Sequence, residues 1–413
     1  METTFPLSFG QLSMRGDFFL DESNPNDVYI PFLVDLEYPT PLHAVKHALH
    51  ALETQTESLR SRIVDYLPRS PYLTPMQQVL EPRDDIPLTH CQVNVDLWDE
   101  VASPSKNSVT HGYCWSAIFL YDDEHKANAL KIWVNHLFSD MEGLSLIRDF
   151  IIDYLHEGRM PFETQHMRDY VDWEKQRWDS RGYSQKVIHR WSEAIRGGEL
   201  RPLHALDEYV VASKRIHCAE GYLEAIQRSG MSILGQTLTA LINTRQYRNM
   251  PLAMLVECSN RRFPINRNLV CTATQHGLFT CEDARKLMEN NRDMTALLPA
   301  LRYAWYDPTP VLEMLPDCLL LPEFTLPWNV NVAYPNCPCP YADSKGNPGD
   351  DADIHLEAHQ RLKGSIAHYV SVTVWTDVID VYWSRSILGD VDDMRTFISS
   401  LESSIRRYSG RRR

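Results

Sequence analysis

A chain of 413 residues, 43% apolar and 23% charged, has the composition of a globular protein and the length for two domains. With 55 acidic against 41 Lys and Arg side chains, its formal charge of −14 argues against nucleic acid as a general partner. No run approaches the roughly 18 apolar residues of a membrane span, and Met1-Glu2-Thr3-Thr4-Phe5-Pro6 lacks a signal peptide's basic start and apolar core. The odd count of 9 scattered cysteines points to reduced thiols, so a cytoplasmic location is expected, away from any membrane.

In chain order, Ser8 is placed to cap a short helix and Asn24-Pro25-Asn26-Asp27 to turn. Residues 28–36 read as a strand. Residues 41–60 read as a helix with Leu42, Val45, Leu49 and Leu52 on one face and Pro41 near its start. The chain then enters a strand through Ile63. Further strands are expected at 90–97 and 113–121, and the polar turn 122–128 makes a hairpin with the strand Leu130-Lys131-Ile132-Trp133-Val134. After it comes Asn135-His136-Leu137-Phe138-Ser139-Asp140-Met141-Glu142-Gly143, and then Leu144, Ile147, Ile151 and Tyr154 at helical spacing. The polar stretch therefore lies in a strand-to-helix turn. A histidine at a strand end with a carboxylate four residues on is placed like a general base; a plain surface loop is the alternative.

Residues 162–173 read as a connection, with a break at Pro161, and 172–196 as a polar helix carrying Trp173, Trp178 and Trp191. Helices are expected at 219–228, 232–247 and 281–290, and strands at 251–257 and 269–274, the latter after a polar turn at 259–268. Residues 315–332 suggest short strands around loops, and 334–353 the least structured stretch, including the loop Cys337-Pro338-Cys339. His355 and His359, spaced as one helical turn, lie near Asp350, Asp351 and Asp353. They lack a His-Glu-x-x-His pattern and a fixed third ligand, so a solvated loop is expected and no metal. A hairpin at 368–374 and 378–383 precedes a closing amphipathic helix through Met394, Phe397, Leu401 and Ile405. The basic end, Arg406, Arg407 and Arg411 to Arg413, reads as a solvated tail. Strands with helices packed on them make an α/β or α+β layered fold.

Several short stretches, in order, resemble the condensation domains of nonribosomal peptide synthetases, members of the chloramphenicol acetyltransferase-like superfamily. Pro6-Leu7-Ser8-x-x-Gln11-x-x-Met14 resembles the first motif and Glu57-Ser58-Leu59-Arg60-Ser61-Arg62 the second. The turn at His136 resembles the His-His-x-x-x-Asp-Gly motif, Arg168-Asp169-Tyr170-Val171-Asp172-Trp173 the fourth, and Asn260-Arg261 loosely the fifth.

The resemblance spans nearly the whole chain. It implies two lobes in a V, an N-terminal lobe over 1–160 and a C-terminal lobe over 161–413, with a tunnel between them. His136 matches the catalytic histidine, acting as general base or positioning residue. Asp140 matches a structural aspartate that pairs with an arginine: Arg261 is the first choice and Arg62 the second. Asn135, Met141 and Gly143 would line the tunnel. Asn135 replaces the motif's first histidine, while Met141 replaces its glycine and would reshape the loop or narrow the tunnel, with Gly143 compensating in part. No cofactor is expected on the protein itself, since the substrate arrives on phosphopantetheine, from a carrier protein or CoA. The implied activity is that of a free-standing acyltransferase joining a thioester-bound acyl or aminoacyl group to a small amine or alcohol in natural-product biosynthesis. Its partner would be an acyl or peptidyl carrier protein. Cyclisation or dehydration of a tethered intermediate, or carrier binding without catalysis, are the other readings.

Overall fold

Ser8 opens the first helix through a capping box. In the computed structural model the Gln11 N–H donates to Ser8 Oγ at 3.1 Å and the Ser8 N–H to Gln11 Oε1 at 2.9 Å. The structure describes residues 4–13, 29–64, 76–104, 107–180, 182–199, 201–202, 208–217, 233–249, 251–289, 294–304, 324–332, 355–360, 368–374, 378–384 and 391–409. Sheets and helices form two compact units, one of residues 1–178 and 259–274, the other of 179–258 and 275–413. The first unit thus runs past the expected boundary at 160 and takes back a late segment. The physical reason is a shared core: Met167, Tyr170 and Val171 bury with Leu269, Cys271 and Ala273.

The first unit contains β1 (Thr4–Pro6), α1 (Phe9–Ser13), β2 (Tyr29–Leu36), α2 (Leu42–Gln55), β3 (Ser61–Val64), β4 (Met76–Val79) and β5 (Leu88–Gln92). It continues with β6 (Trp115–Asp122), β7 (Ala127–Asn135), α3 (Met141–Glu157) and α4 (Met167–Asp179). Strands β1, β4 and β3 form a small antiparallel sheet. The larger sheet has the order β2-β7-β6-β5, with β6 and β7 the expected hairpin, paired from Asp122↔Ala127 to Trp115↔Val134. Because side chains alternate along a strand, β7 serves two cores. Leu130, Ile132 and Val134 pack with Val45, Leu49 and Leu52 of α2 and with Leu144, Ile147, Phe150 and Ile151 of α3. Ala129 and Trp133 pack on the other side with Ile118, Leu120 and Phe138. Burying each large apolar side chain contributes roughly 1.5–3 kcal/mol, and this two-sided burial is what makes β7 a rigid base for the turn that follows it. Lys131, in the same run, is buried but donates to the carbonyls of Trp98 (3.0 Å) and Asp99 (2.6 Å); burial pulls its pKa down.

The strand expected over 90–97 is shorter. β5 ends at Gln92, and Asn94 Oδ1 accepts the Asp96 N–H at 2.9 Å, capping a 3-10 turn over Val95–Glu100.

The second unit begins with α5 (Tyr183–Arg196), so the single helix expected over 172–196 is two; the left-handed Gly182 (φ 73°) stands immediately before α5. It continues with β8 (Arg201–Pro202), β9 (Glu208–His217), α6 (Ile233–Ile242), α7 (Arg245–Asn249), β10 (Met254–Ser259), β11 (Thr274–Phe279), α8 (Cys281–Glu289) and α9 (Leu298–Arg302). The last elements are β12 (Phe324–Val332), β13 (His355–Gln360), β14 (His368–Val374), β15 (Val378–Ser384) and α10 (Val391–Ser409). Its sheet has the order β11-β10-β12-β14-β15-β9-β13, with β8 paired to β12. Leu238, Leu241, Met254, Val256, Phe279, Phe397 and Leu401 centre its core. Arg215 and Asp380, directly opposite on β9 and β15, pair at 2.8 Å while buried.

Four expectations change here. Residues 269–273 are not a strand: β11 starts at Thr274, and the alternating Leu269, Cys271 and Ala273 pack on α4 instead of pairing. Residues 324–332 are one strand of a parallel pairing with β10 and β14, where short pieces were expected. Where one helix was expected over 232–247 there are two, α6 and α7. His355 and His359 lie on an extended strand, where four residues span about 13 Å, so the one-helical-turn spacing does not hold. The expected helix 219–228 and the stretches 315–323, 334–353 and 375–377 lie outside the described residues. Among those described, no group of three or more His, Cys, Asp or Glu side chains could hold a metal ion, and no helix is long and apolar enough to cross a membrane.

Candidate active site

The β2–β7 ladder ends at Tyr29↔Asn135, and Asn135 itself makes the turn. Its Oδ1 accepts the Leu137 N–H at 3.0 Å and its carbonyl the Phe138 N–H at 2.9 Å. Leu137 and Phe138 are fully buried, and between Asn135 and this apolar anchor His136 is the residue left half-buried. Its Nδ1 lies 2.9 Å from the Ser139 carbonyl. A carbonyl can only accept, so in the neutral ring the contact assigns the proton to Nδ1 and the lone pair to Nε2.

Asp140 caps α3, its Oδ1 accepting the Gly143 N–H at 2.9 Å. The same carboxylate meets Arg261 at 2.8 Å through Oδ1 and 3.0 Å through Oδ2. It also accepts the Ala273 N–H at 2.8 Å and the Thr274 hydroxyl at 3.1 Å. Burial by itself would push the Asp140 carboxyl up; the Arg261 charge and these hydrogen bonds outweigh it and hold the pKa below the usual carboxylate range. Arg261 is buried too. It donates to the carbonyls of Leu269 (2.6 Å) and Cys271 (2.7 Å) and to Glu142 (3.1 Å). Arg62 is not its competitor. Directly opposite Gln78 in the β3–β4 ladder, it gives its Nε–H to the Gln78 Oε1 at 2.7 Å.

The second, third, fourth and fifth motif-like stretches are joined through α4 and the returning segment. Glu57 Oε2 accepts the Met167 N–H at 2.8 Å and so caps α4. Asn260 Nδ2 donates to the Tyr170 hydroxyl at 2.9 Å, and its Oδ1 accepts from Arg177 at 2.8 Å. Arg261, next in sequence, closes on Asp140. Sequence reasoning missed Ser139, Glu142, Thr272, Ala273 and Thr274; the last three sit in what read as a strand, and no local pattern ties them to a turn 130 residues away.

Met141 is the first residue of α3, and its side chain packs against the apolar cluster of β7, α2 and α3. A helical position needs none of glycine's backbone freedom, so Met141 sits there without strain. Met141→Gly is expected to lower stability by about 1–2 kcal/mol, read from a urea melt, because it removes packing and adds unfolded-state freedom. Gly143 is required for space, not for its angles. A Cβ there would overlap Ser139 Oγ and come within 3.2 Å of the Arg261 guanidinium. Gly143→Ala should therefore cost roughly 1–3 kcal/mol in the same melt, and an unchanged midpoint would show the turn to be more yielding than this packing implies.

A mixed sheet thus ends in a histidine turn that a late segment clamps through a buried Arg–Asp pair. No family model matches the sequence, and no curated protein matches it. In structure, the chain is similar to the condensation domain that mediates chain release from the enacyloxin polyketide synthase, with a TM-score of 0.68 and 14% identity over 98% of this chain and 82% of that one. It is similar to the SgcC5 protein from Streptomyces globisporus (TM-score 0.67, 14% identity, 98% and 99% of the two chains). It is also similar to the EpoB cyclization-docking bidomain from Sorangium cellulosum (TM-score 0.66, 13% identity, 99% and 85%). The chain has the condensation-domain fold.

Proposed function

We propose that this protein is a condensation-type acyltransferase of natural-product biosynthesis. It joins an acyl or aminoacyl group, held as a thioester on the phosphopantetheine of a carrier protein or of CoA, to a small amine or alcohol. The observation that carries the reading is the His136–Ser139 contact, which assigns the ring proton to Nδ1 and the lone pair to Nε2 on a half-buried ring in a braced turn.

The chemistry follows from that nitrogen. The acceptor's N–H or O–H gives its proton to Nε2 as its lone pair attacks the thioester carbonyl carbon; the C–S bond then breaks, and the departing thiolate takes the proton back from the imidazolium. The products are an amide or ester and a free thiol, and no oxidant or resident cofactor is needed, because the thioester is already activated. Asp140 takes no part in proton transfer; its oxygens are committed to Arg261, Gly143, Ala273 and Thr274. A carrier protein as partner is supported by likeness to a domain that releases a chain from a polyketide synthase.

Incubation of the purified protein with acylated carrier protein or acyl-CoA and a panel of amines and alcohols, read by mass spectrometry, tests the reading. Condensed product is the expected result; a tethered product changed by rearrangement or loss of water, or binding without turnover, would overturn it.

A further inference from the structure

We infer that Thr272 is a positioning residue for His136, holding its backbone so that the ring keeps its Nδ1–H tautomer; the inference rests on the reading of His136 as the base. Thr272 is 4% exposed, and its hydroxyl donates to the His136 carbonyl oxygen. Its neighbours grip the same turn: the Cys271 carbonyl holds Arg261, and the Ala273 N–H and Thr274 hydroxyl hold Asp140. The segment is itself fixed from behind, since the Asn260 N–H donates to the Ala273 carbonyl at 3.0 Å.

The bonds to the Asp140 carboxylate steady the start of α3, one end of the turn. The Thr272 bond acts on the His136 peptide, where rotation would swing the Cα–Cβ bond and with it the ring. Which imidazole nitrogen carries the proton is set by the hydrogen bond the other end of the ring environment allows. Here Nδ1 must reach the Ser139 carbonyl, three residues on in the same turn. That reach depends on the peptide orientation that Thr272 fixes. Removing the hydroxyl loosens the carbonyl end of this peptide, whose Leu137 N–H stays on Asn135 Oδ1, and weakens the hold on the Nδ1–Ser139 contact, so part of the population presents Nε2–H, which cannot accept a proton.

The test uses the full chain labelled with 15N-histidine and long-range 1H–15N spectra, with His136→Ala identifying the His136 signals. The parent should show the Nδ1–H pattern, Thr272→Val a mixture or the Nε2–H pattern, and Thr272→Ser a return to the parent's. Turnover of an acylated carrier protein should fall roughly 10- to 100-fold in Thr272→Val at unchanged KM and recover in Thr272→Ser. An Nδ1–H pattern that survives in folded Thr272→Val, or an Nε2–H pattern in the parent, which needs no variant, overturns the inference. Full turnover in His136→Ala would instead sink the reading of His136 as base, whatever the tautomer spectra show.

Discussion

Asp140→Ala is expected to lower the stability of the first unit by about 3–5 kcal/mol, because it leaves the buried Arg261 without its main partner. The Glu142 contact at 3.1 Å remains, which places the effect toward the lower end. For a unit of this size that is a fall in melting temperature of roughly 10 °C. Asp140→Asn, which keeps the shape and one acceptor oxygen, should fall between the two. The pH dependence has a definite sign. The folded-state pKa of Asp140 lies below the ordinary carboxylate value, so its contribution is fully present above about pH 4 and is lost as pH falls through the folded value. Urea melts between pH 7 and pH 3 should show this acid loss in the parent, and Asp140→Asn should lack that share of it. A variant that melts like the parent while losing activity would move Asp140 from the scaffold into the chemistry.

His136→Ala carries the largest effect on rate. General-base help is worth roughly 10² to 10⁴ in turnover, and all of it resides in Nε2. The fold should survive, because His136 is half-buried and the turn is anchored by Leu137 and Phe138. The parent's melting curve with turnover reduced by that factor is the expected pair of results. Turnover unchanged in a folded variant would remove His136 from the mechanism.

Much of this was legible in the sequence wherever the signal was local. The apolar run of β7, the polar turn and the periodic Leu144, Ile147 and Ile151 fix strand, turn and helix by burial alone. Ser8 reads as a helix cap, as it proves to be, and the β6–β7 and β14–β15 hairpins follow from their turns. The site's other half was not legible in this way. Leu269, Cys271 and Ala273 alternate as a strand would, but their burial comes from Met167 and Tyr170 of α4, not from a ladder. Periodicity reports that a face is buried, not what buries it. The Asp140–Arg261 contact spans 121 residues, and no local propensity encodes a separation of that kind; only the likeness to a known motif pointed to Arg261. The same holds for Gly143. A glycine invites an argument from backbone angles, whereas its need is set by Ser139 Oγ and a guanidinium that arrives from far along the chain.

The central claim is that an acyl group leaves its thioester for an amine or alcohol under the action of His136. The most direct measurement is the intact mass of an acylated carrier protein after incubation with this protein and a nucleophile, for the parent and for His136→Ala side by side. The account predicts that the parent returns the carrier to its free-thiol mass while an amide or ester of matching mass appears, and that His136→Ala leaves the carrier acylated. A carrier that stays acylated with the parent across the nucleophile panel, or is discharged equally by both proteins, would contradict it.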